Sequence, residues 1–306
     1  MSVYTSIKQQ PLEDFLAGYS LGYLVSFSGI EAGIENTNYR IKTTEGEFIL
    51  TIFESLTDKE LPDFLNLLKQ LSQKKLPVPQ PQVNKKGDLL NQLKQKPAVI
   101  FNCLPGTSVE NPDNKQCSEI GIYLAKLHFL TKNSDFYQQN VKNIKGCKSV
   151  YQAIKLYLSN DDIKLIDSEL AFQTAYSLPD LPKGIIHADL FKDNVLFEQG
   201  KVSGIVDFYN ACHDTFLFDI AVTCNDWCVE KAKINQQQFQ ALLSGYNSVR
   251  VMSEDEIKHL PIFLRLTALR FWLSRLEHQI NTKEGELTLQ KDPLEFRQLL
   301  QYHRKV

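Results

Sequence analysis

The chain has 306 residues, with 34 lysines and arginines against 36 aspartates and glutamates, which gives a formal net charge of -2. This length predicts about two domains or one large two-lobed fold. The balanced charge excludes generic nucleic-acid binding, because such proteins carry a basic excess that neutralises phosphates. Hydrophobic residues make up 43% of the chain and charged residues 23%, values typical of a globular protein with a buried core.

The sequence predicts a cytoplasmic protein that does not contact a membrane. The N-terminal segment has no basic region followed by an apolar run, and no stretch of the chain is long and apolar enough for a transmembrane helix. The six cysteines are therefore expected to stay reduced. Cys224 and Cys228 lie near His213 in the sequence, but no second ligand pair completes a metal site, so buried thiols are the favoured interpretation.

The first hundred residues predict a meander of antiparallel strands, because short β-rich runs alternate there with turn signals. These runs are Tyr23–Phe27, Gly29–Gly33, Asn38–Thr43 and Phe48–Phe53, followed by 88–93 and 98–103. Beyond residue 103 the apolar period becomes mostly helical, which places a lobe boundary there. The predicted helices include 148–159, 160–177, 216–231, 235–246, 253–280 and 293–303.

A β-rich segment at 184–208 carries the residues best suited to catalysis. Asp189 stands five residues before Asn194, and Asp207 follows a hairpin whose turn is Gln199-Gly200. This spacing is typical of kinase-type phosphoryl transfer, in which an aspartate orients the attacking hydroxyl and accepts its proton. Asn194 and Asp207 offer the oxygen ligands that Mg²⁺ prefers. The alternative interpretation is that the three residues only cap turns.

Two nearby residues are predicted to shape this segment. His187 follows two apolar residues and is expected to hold the loop by hydrogen bonds to the backbone. Asp219, a lone carboxylate in an apolar helical stretch, is expected to brace the loop through backbone N–H groups and not to contact substrate.

Further segments match a known family. They are 33–39, 48–54, 104–106, 225–228, 269–275 and 291–293, together with 187–197 and 207–212. In these segments, which span almost the whole chain, the sequence resembles the aminoglycoside-phosphotransferase-type kinases and, more narrowly, the type II homoserine kinases. The resemblance implies an α+β, bilobal protein-kinase-like fold, with a small antiparallel-β N-lobe at 1–102 and a larger, mainly helical C-lobe at 103–306. It also implies ATP- and Mg²⁺-dependent phosphorylation of the side-chain hydroxyl of L-homoserine, the step before threonine synthase in threonine biosynthesis.

The resemblance places ATP in the N-lobe. The predicted nucleotide-binding residues are Gly33, Asn36, Asn38, Thr51, Phe101, Asn102, Cys103 and Leu104. Thr51 aligns with the phosphate-binding lysine of the wider kinase family, so that cation is absent, and Lys42 is a possible substitute. The hinge, residues 101–104, is expected to hold adenine through backbone groups that a strand edge leaves unpaired.

The acceptor site is predicted from the chemistry of a zwitterionic amino acid. Such a substrate needs a cation for its carboxylate and an acid or an aromatic face for its ammonium group. Arg265 and Arg270 on one predicted helix are the candidate cations, with Arg275 next, and Asp226 with Trp227 are the other candidate contacts. The structural alternative is an exposed charge for each arginine and a core aromatic for Trp227.

Two other functions stay open at this stage. One is another small-alcohol kinase of the same architecture, such as a choline, ethanolamine or methylthioribose kinase. The other is a nucleotide-binding pseudokinase, which the threonine at position 51 favours and which the presence of Asp189, Asn194 and Asp207 opposes.

Overall fold

The computed structural model describes residues 5–30, 36–281 and 291–305. These residues form two compact units. The first unit contains the residues up to Gly106 together with 203–206, and the second contains the rest. Strands dominate the first unit and helices the second, so the predicted α+β class is confirmed.

The first unit is built on an antiparallel sheet. Its strands are β1 (Leu24–Ile30), β2 (Asn36–Thr43), β3 (Gly46–Phe53), β4 (Asn91–Leu93) and β5 (Lys96–Asn102). Their order in the sheet is β1-β2-β3-β5-β4. The predicted break between the runs 23–27 and 29–33 is wrong, because Gly29 pairs with Tyr39 and strand β1 continues through it.

One face of this sheet is covered by helix α1 (Gln9–Leu16). Leu12 and Leu16 pack there with Ile41, Leu50 and Ile52 in a buried cluster. Because side chains alternate along a strand, position 51 of β3 faces the opposite side of the sheet. Helix α2 (Leu61–Gln73) follows β3 and buries its leucine stripe.

The second unit is mainly helical. Its helices are α3 (Asn114–Leu130), α4 (Ile144–Ile154), α5 (Asn160–Ala175), α6 (Phe216–Trp227), α7 (Gln236–Asn247), α8 (Glu254–Asn281) and α9 (Pro293–His303). Helix α6 packs against α8, and all of its residues are buried except Asp226, which is half-buried. No helix of the described ranges is long and apolar enough to cross a membrane.

Short strands in the second half of the chain position the loop with the catalytic candidates. They are β6 (Lys183–Ile186), β7 (Val195–Glu198), β8 (Lys201–Ile205), β9 (Cys212–Thr215), β10 (Val229–Glu230) and β11 (Lys233–Ile234). The predicted hairpin is present as β7 and β8. Strand β9, which pairs with β6, was not predicted, and the helix predicted over 216–231 ends at Trp227 because the β10–β11 hairpin follows.

Candidate active site

The loop at residues 187–194 joins β6 to β7 and is held from behind by α6. The fully buried Asp219 accepts hydrogen bonds from the backbone N–H groups of His187 and Ala188, both at 2.8 Å. Ala188 has a left-handed φ of 62°, which is uncommon for a residue other than glycine. The two hydrogen bonds stabilise this turn, and Asp189 follows it directly.

A buried histidine fixes the charge of the carboxylate behind the loop. His128 Nε2 lies 3.1 Å from Asp219, and its Nδ1 lies 2.7 Å from the hydroxyl of Tyr246. Burial lowers the pKa of His128. Burial alone would raise the pKa of Asp219, but its contacts with His128 and the His187 N–H lower it below the ordinary value. The pair is therefore an ionised aspartate and a neutral histidine, which donates from Nε2 and accepts at Nδ1.

Asp226 and Trp227, for which the sequence predicts substrate contacts, lie behind the same loop. Asp226 Oδ2 accepts a hydrogen bond from Lys192 N at 2.7 Å, and Trp227 Nε1 donates to Leu190 O at 3.0 Å. The indole of Trp227 is only 1% exposed. Both residues therefore hold the loop, because α6 runs behind it, and their contact with substrate stays a prediction.

The titration of Asp226 gives a testable pH dependence. Burial raises the pKa of this carboxyl from its ordinary value of 3.8 to about 6. The folded protein therefore binds a proton more tightly than the unfolded chain, so we expect the free energy of unfolding to fall as pH rises from about 4 to about 6. Asp226→Asn keeps an oxygen for the Lys192 N–H. In this variant the fall in the free energy of unfolding between about pH 4 and about pH 6 should be smaller than in the wild type, because the group that takes up the proton is gone. Urea unfolding of both proteins across this range measures the difference, and parallel pH profiles would contradict it.

Two side chains approach the carboxylate of Asp189. Arg270 Nη1 of α8 lies 3.5 Å from Oδ1, and Asn210 Nδ2 lies 3.5 Å from Oδ2. The Arg270 side chain is 6% exposed, so its charge lies in a poorly solvated site where electrostatic attraction is strong. Lys142 Nζ in turn donates a hydrogen bond to Asn210 Oδ1. Sequence reasoning missed Asn210 and Lys142.

Asn194 and Asp207, the predicted metal ligands, are each held by local structure. Asn194 Nδ2 donates to Asp189 O at 2.9 Å, which leaves the amide oxygen as the atom for a cation. Asp207 follows β8 with a left-handed φ of 64°. Among the described residues no group of three histidine, cysteine or acidic side chains is suited to a metal. The oxygens of Asn194 and Asp207 could instead bind an ion that is also coordinated by the phosphates of a nucleotide.

The other candidate arginines have partners elsewhere in the second unit. Arg265 binds the buried Glu169 through two hydrogen bonds of 3.0 and 2.6 Å, and its guanidinium stacks on Phe172. Arg275 pairs with Glu295 at 2.7 Å. Of the three arginines on α8, the structure brings Arg270 to Asp189.

In the first unit, two of the side chains predicted to bind the nucleotide form a hydrogen bond with each other on the same face of the sheet. Thr51 Oγ1 donates to Asn38 Oδ1 at 2.8 Å, across neighbouring strands whose register pairs these positions. Asn36 Oδ1 accepts from Glu54 N at 3.4 Å. Gly33, the remaining predicted residue on this side, lies outside the described residues.

A cavity of about 330 Å³ adjoins the hinge. It is lined by Arg40, Glu47, Cys103, Leu104, Pro105 and Gly106. The backbone groups of the hinge are predicted to be unpaired, and this is wrong for two N–H groups. Asn102 N donates to Gln80 O and Cys103 N donates to Glu47 O, both at 3.2 Å. The Asn102 side chain also accepts from Gln80 N at 2.6 Å. Within the described ranges Leu104 N has no backbone partner.

Comparison with known proteins identifies the family. The model of the phosphotransferase enzyme family matches residues 26–252. The chain belongs to this family. It is 39% identical to the homoserine kinase of Methylobacillus flagellatus over 306 residues, covering 99% of this chain and 95% of that protein. It is also 39% identical to the homoserine kinase of Agrobacterium fabrum over 311 residues, covering 100% of this chain and 97% of that one.

Solved structures agree with this assignment at the level of the fold. An amicoumacin kinase in complex with AMP-PNP, Ca²⁺ and Ami matches with a TM-score of 0.73 and 17% identity, covering 98% of this chain and 93% of that chain. The predicted kinase-like fold is therefore confirmed. As a member of the phosphotransferase family, the protein is an enzyme that transfers a phosphoryl group to an alcohol.

Proposed function

We propose that this protein is an ATP-dependent kinase that phosphorylates the side-chain hydroxyl of L-homoserine and yields O-phospho-L-homoserine. Two observations support the proposal. Homoserine kinases from several bacteria are about 39% identical to this chain over nearly its full length. The observation that carries the proposal is the buried Arg270 beside Asp189, because a cation at this point suits an acceptor that carries a carboxylate.

Asp189 is the catalytic residue in this proposal. Its carboxylate orients the acceptor hydroxyl and accepts the proton as the oxygen attacks the γ-phosphate of ATP. The loose transition state of phosphoryl transfer asks the protein mainly for positioning. The contacts of Asp219, Asp226 and Trp227 with the 187–194 loop supply that positioning, since they fix the backbone on both sides of Asp189.

Asn194 and Asp207 would hold Mg²⁺ in this proposal. Their amide and carboxylate oxygens are the hard ligands that this ion prefers, and few protein ligands are needed when phosphates supply others. The ion, when bound, neutralises negative charge on the phosphates. The residues of the chain keep these oxygens in place through the Asn194 bond to the Asp189 carbonyl and the left-handed conformation at Asp207.

The nucleotide site is proposed to lie in the first unit. The cavity beside residues 103–106 has the size class of small-molecule sites. Leu104 N is its candidate donor to adenine, and Asn36, Asn38 and Thr51 mark the predicted phosphate side. The Thr51 to Asn38 hydrogen bond joins two neutral side chains where the wider kinase family has a lysine.

The cytoplasmic location of the protein also stays a prediction.

The alternative acceptors differ from homoserine in charge. Choline and ethanolamine lack a carboxylate and carry a positive charge, which the cation of Arg270 would repel. Methylthioribose also lacks a carboxylate. A pseudokinase is opposed by the presence of Asp189, Asn194 and Asp207 together. A coupled ADP assay with these alcohols and L-homoserine separates the possibilities, and preferred turnover of choline or ethanolamine would overturn the proposal.

Arg270→Ala should act on the acceptor and spare the nucleotide. We expect the homoserine KM to rise at least about tenfold, because a charge-assisted contact with the carboxylate is lost. The ATP KM should stay within about twofold of the wild-type value, and kcat should fall if the carboxylate contact aligns the hydroxyl. Steady-state kinetics with each substrate varied in turn provide the measurement.

Arg275→Ala is the matched control on the same helix, since this arginine pairs with the exposed Glu295. It should leave both KM values unchanged. Equal homoserine KM values for Arg270→Ala and wild type would place the carboxylate site elsewhere.

A further inference from the structure

A segment before helix α4 is fixed against strand β9. His213 N donates to Gln138 O at 2.7 Å, and Asn140 Nδ2 donates to Asp214 Oδ2 at 2.6 Å. Asn140 is 4% exposed, so its amide is a buried, hydrogen-bonded anchor. Its Oδ1 accepts from Lys142 N at 2.8 Å. The backbone of Lys142 is therefore attached to the strand that follows Asn210.

The start of helix α4 closes this turn from the other side. Asn143 caps the helix by accepting from Lys145 N at 2.9 Å. Gly146 leaves room for the turn, because a Cβ at this position would lie 1.9 Å from Val141 O. A contact this close has no space for a side chain. The turn that contains residue 142 thus has anchors on both the strand and the helix.

The side chain of Lys142 reaches the proposed active site through Asn210. Its Nζ donates to Asn210 Oδ1, while Asn210 Nδ2 lies 3.5 Å from one carboxylate oxygen of Asp189. Arg270 lies 3.5 Å from the other oxygen. Asp189, Asn210, Lys142 and Arg270 form one group, which we call the acceptor cluster. Two cations and one carboxylate give the acceptor cluster one excess positive charge, which complements a carboxylate on the substrate.

We propose that Lys142, oriented by Asn210, is a specificity-determining residue that binds the carboxylate of the amino-acid acceptor together with Arg270. This inference rests on the proposed function and adds a second cation to its acceptor site. Lys142 is half-buried, so its ammonium group can exchange part of its contact with Asn210 for a substrate oxygen. With the hydroxyl at Asp189, the short carbon chain of homoserine directs the carboxylate towards the two cations.

The test compares two acceptors that differ only in the carboxylate. L-Homoserine has it, and 3-amino-1-propanol is the same molecule with hydrogen in its place. In Lys142→Met, which keeps the stem and removes the charge, we expect kcat/KM for L-homoserine to fall at least about tenfold. The value for 3-amino-1-propanol should stay within about twofold, so the preference for homoserine collapses. If 3-amino-1-propanol turns over too slowly, its Ki as a competitive inhibitor replaces kcat/KM.

Two further variants make the result decisive. Lys142→Arg retains a cation and should recover most of the preference for homoserine. Lys145→Met removes an exposed lysine near the same turn and should leave the preference unchanged. If Lys142→Met lowers kcat/KM equally for both acceptors, Lys142 acts on the phosphoryl group or on folding and not on the carboxylate, and the inference is overturned. An unchanged preference for homoserine in this variant would also overturn it. Failure of the wild-type protein to phosphorylate homoserine would instead contradict the proposed function itself.

Discussion

Replacing Asp189 with asparagine is expected to lower kcat by roughly 10² to 10⁴, the usual contribution of a positioned general base. The asparagine keeps the shape of the side chain but cannot accept the proton of the acceptor hydroxyl. ATP binding should stay close to wild type, because the predicted nucleotide contacts lie in other segments of the chain. Single-turnover kinetics, with enzyme in excess over ATP and with saturating L-homoserine, measure the loss in the chemical step.

Asp193→Asn is the matched control in the same loop. Asp193 forms an ion pair with Lys291, and its side chain is 56% exposed, so the substitution should change kcat by less than about twofold. Wild-type turnover in Asp189→Asn would remove this residue from the chemistry. Equal losses in the two variants would indicate a general sensitivity of the loop.

Replacing Asp207 with asparagine is expected to weaken Mg²⁺-dependent ATP binding at least about tenfold, because the amide keeps an oxygen but loses the negative charge of a carboxylate ligand. Asparagine is the informative substitution because it tolerates the left-handed φ of 64° at this position. Alanine removes the oxygen ligand altogether, but it also strains the backbone at this φ. Calorimetric titration with ATP at varied Mg²⁺ concentration gives the affinity.

The thermal unfolding midpoint reports whether the Asp207→Asn protein is folded. We expect it to lie within a few degrees of wild type, since asparagine has the shape of aspartate and tolerates the same φ. Unchanged affinity for Mg-ATP in a folded Asp207→Asn protein would show that the metal ligand lies elsewhere.

Features that depend on local sequence are well predicted. The β7–β8 hairpin is an example: Gln199 and Gly200 both have positive φ, at 51° and 77°, as the tight turn between two short strands requires. Asp189 and Asn194 are five residues apart, and the spacing alone indicates that they share one loop. The Asn194 bond to the Asp189 carbonyl lies within that loop and needs no distant contact.

Features that depend on distant contacts are not predicted in the same way. Lys142 and Asn210 meet although 68 residues separate them, and Arg270 reaches Asp189 across 81 residues. Helix α6 is another case, because all of its residues except Asp226 are buried and it has no polar face. Without such a face, the pattern does not tell whether Asp226 and Trp227 point to substrate or to the loop.

Helix geometry does separate the candidate arginines. Arg265 and Arg270 are five residues apart on α8, so their side chains lie about 140° apart around the helix axis. One helix face therefore cannot present both to Asp189. The sequence restricts the choice to one of the two, but the choice itself depends on Glu169 of helix α5, which binds Arg265.

The measurement that tests the central claim most directly is the identification of the product by ³¹P NMR and mass spectrometry after incubation with ATP, Mg²⁺ and L-homoserine. The proposed function predicts one equivalent of O-phospho-L-homoserine for each ADP formed, and no phosphate ester in the Asp189→Asn protein over the same period. ADP formation without this ester, or an ester formed only when homoserine is replaced by choline or ethanolamine, would contradict it.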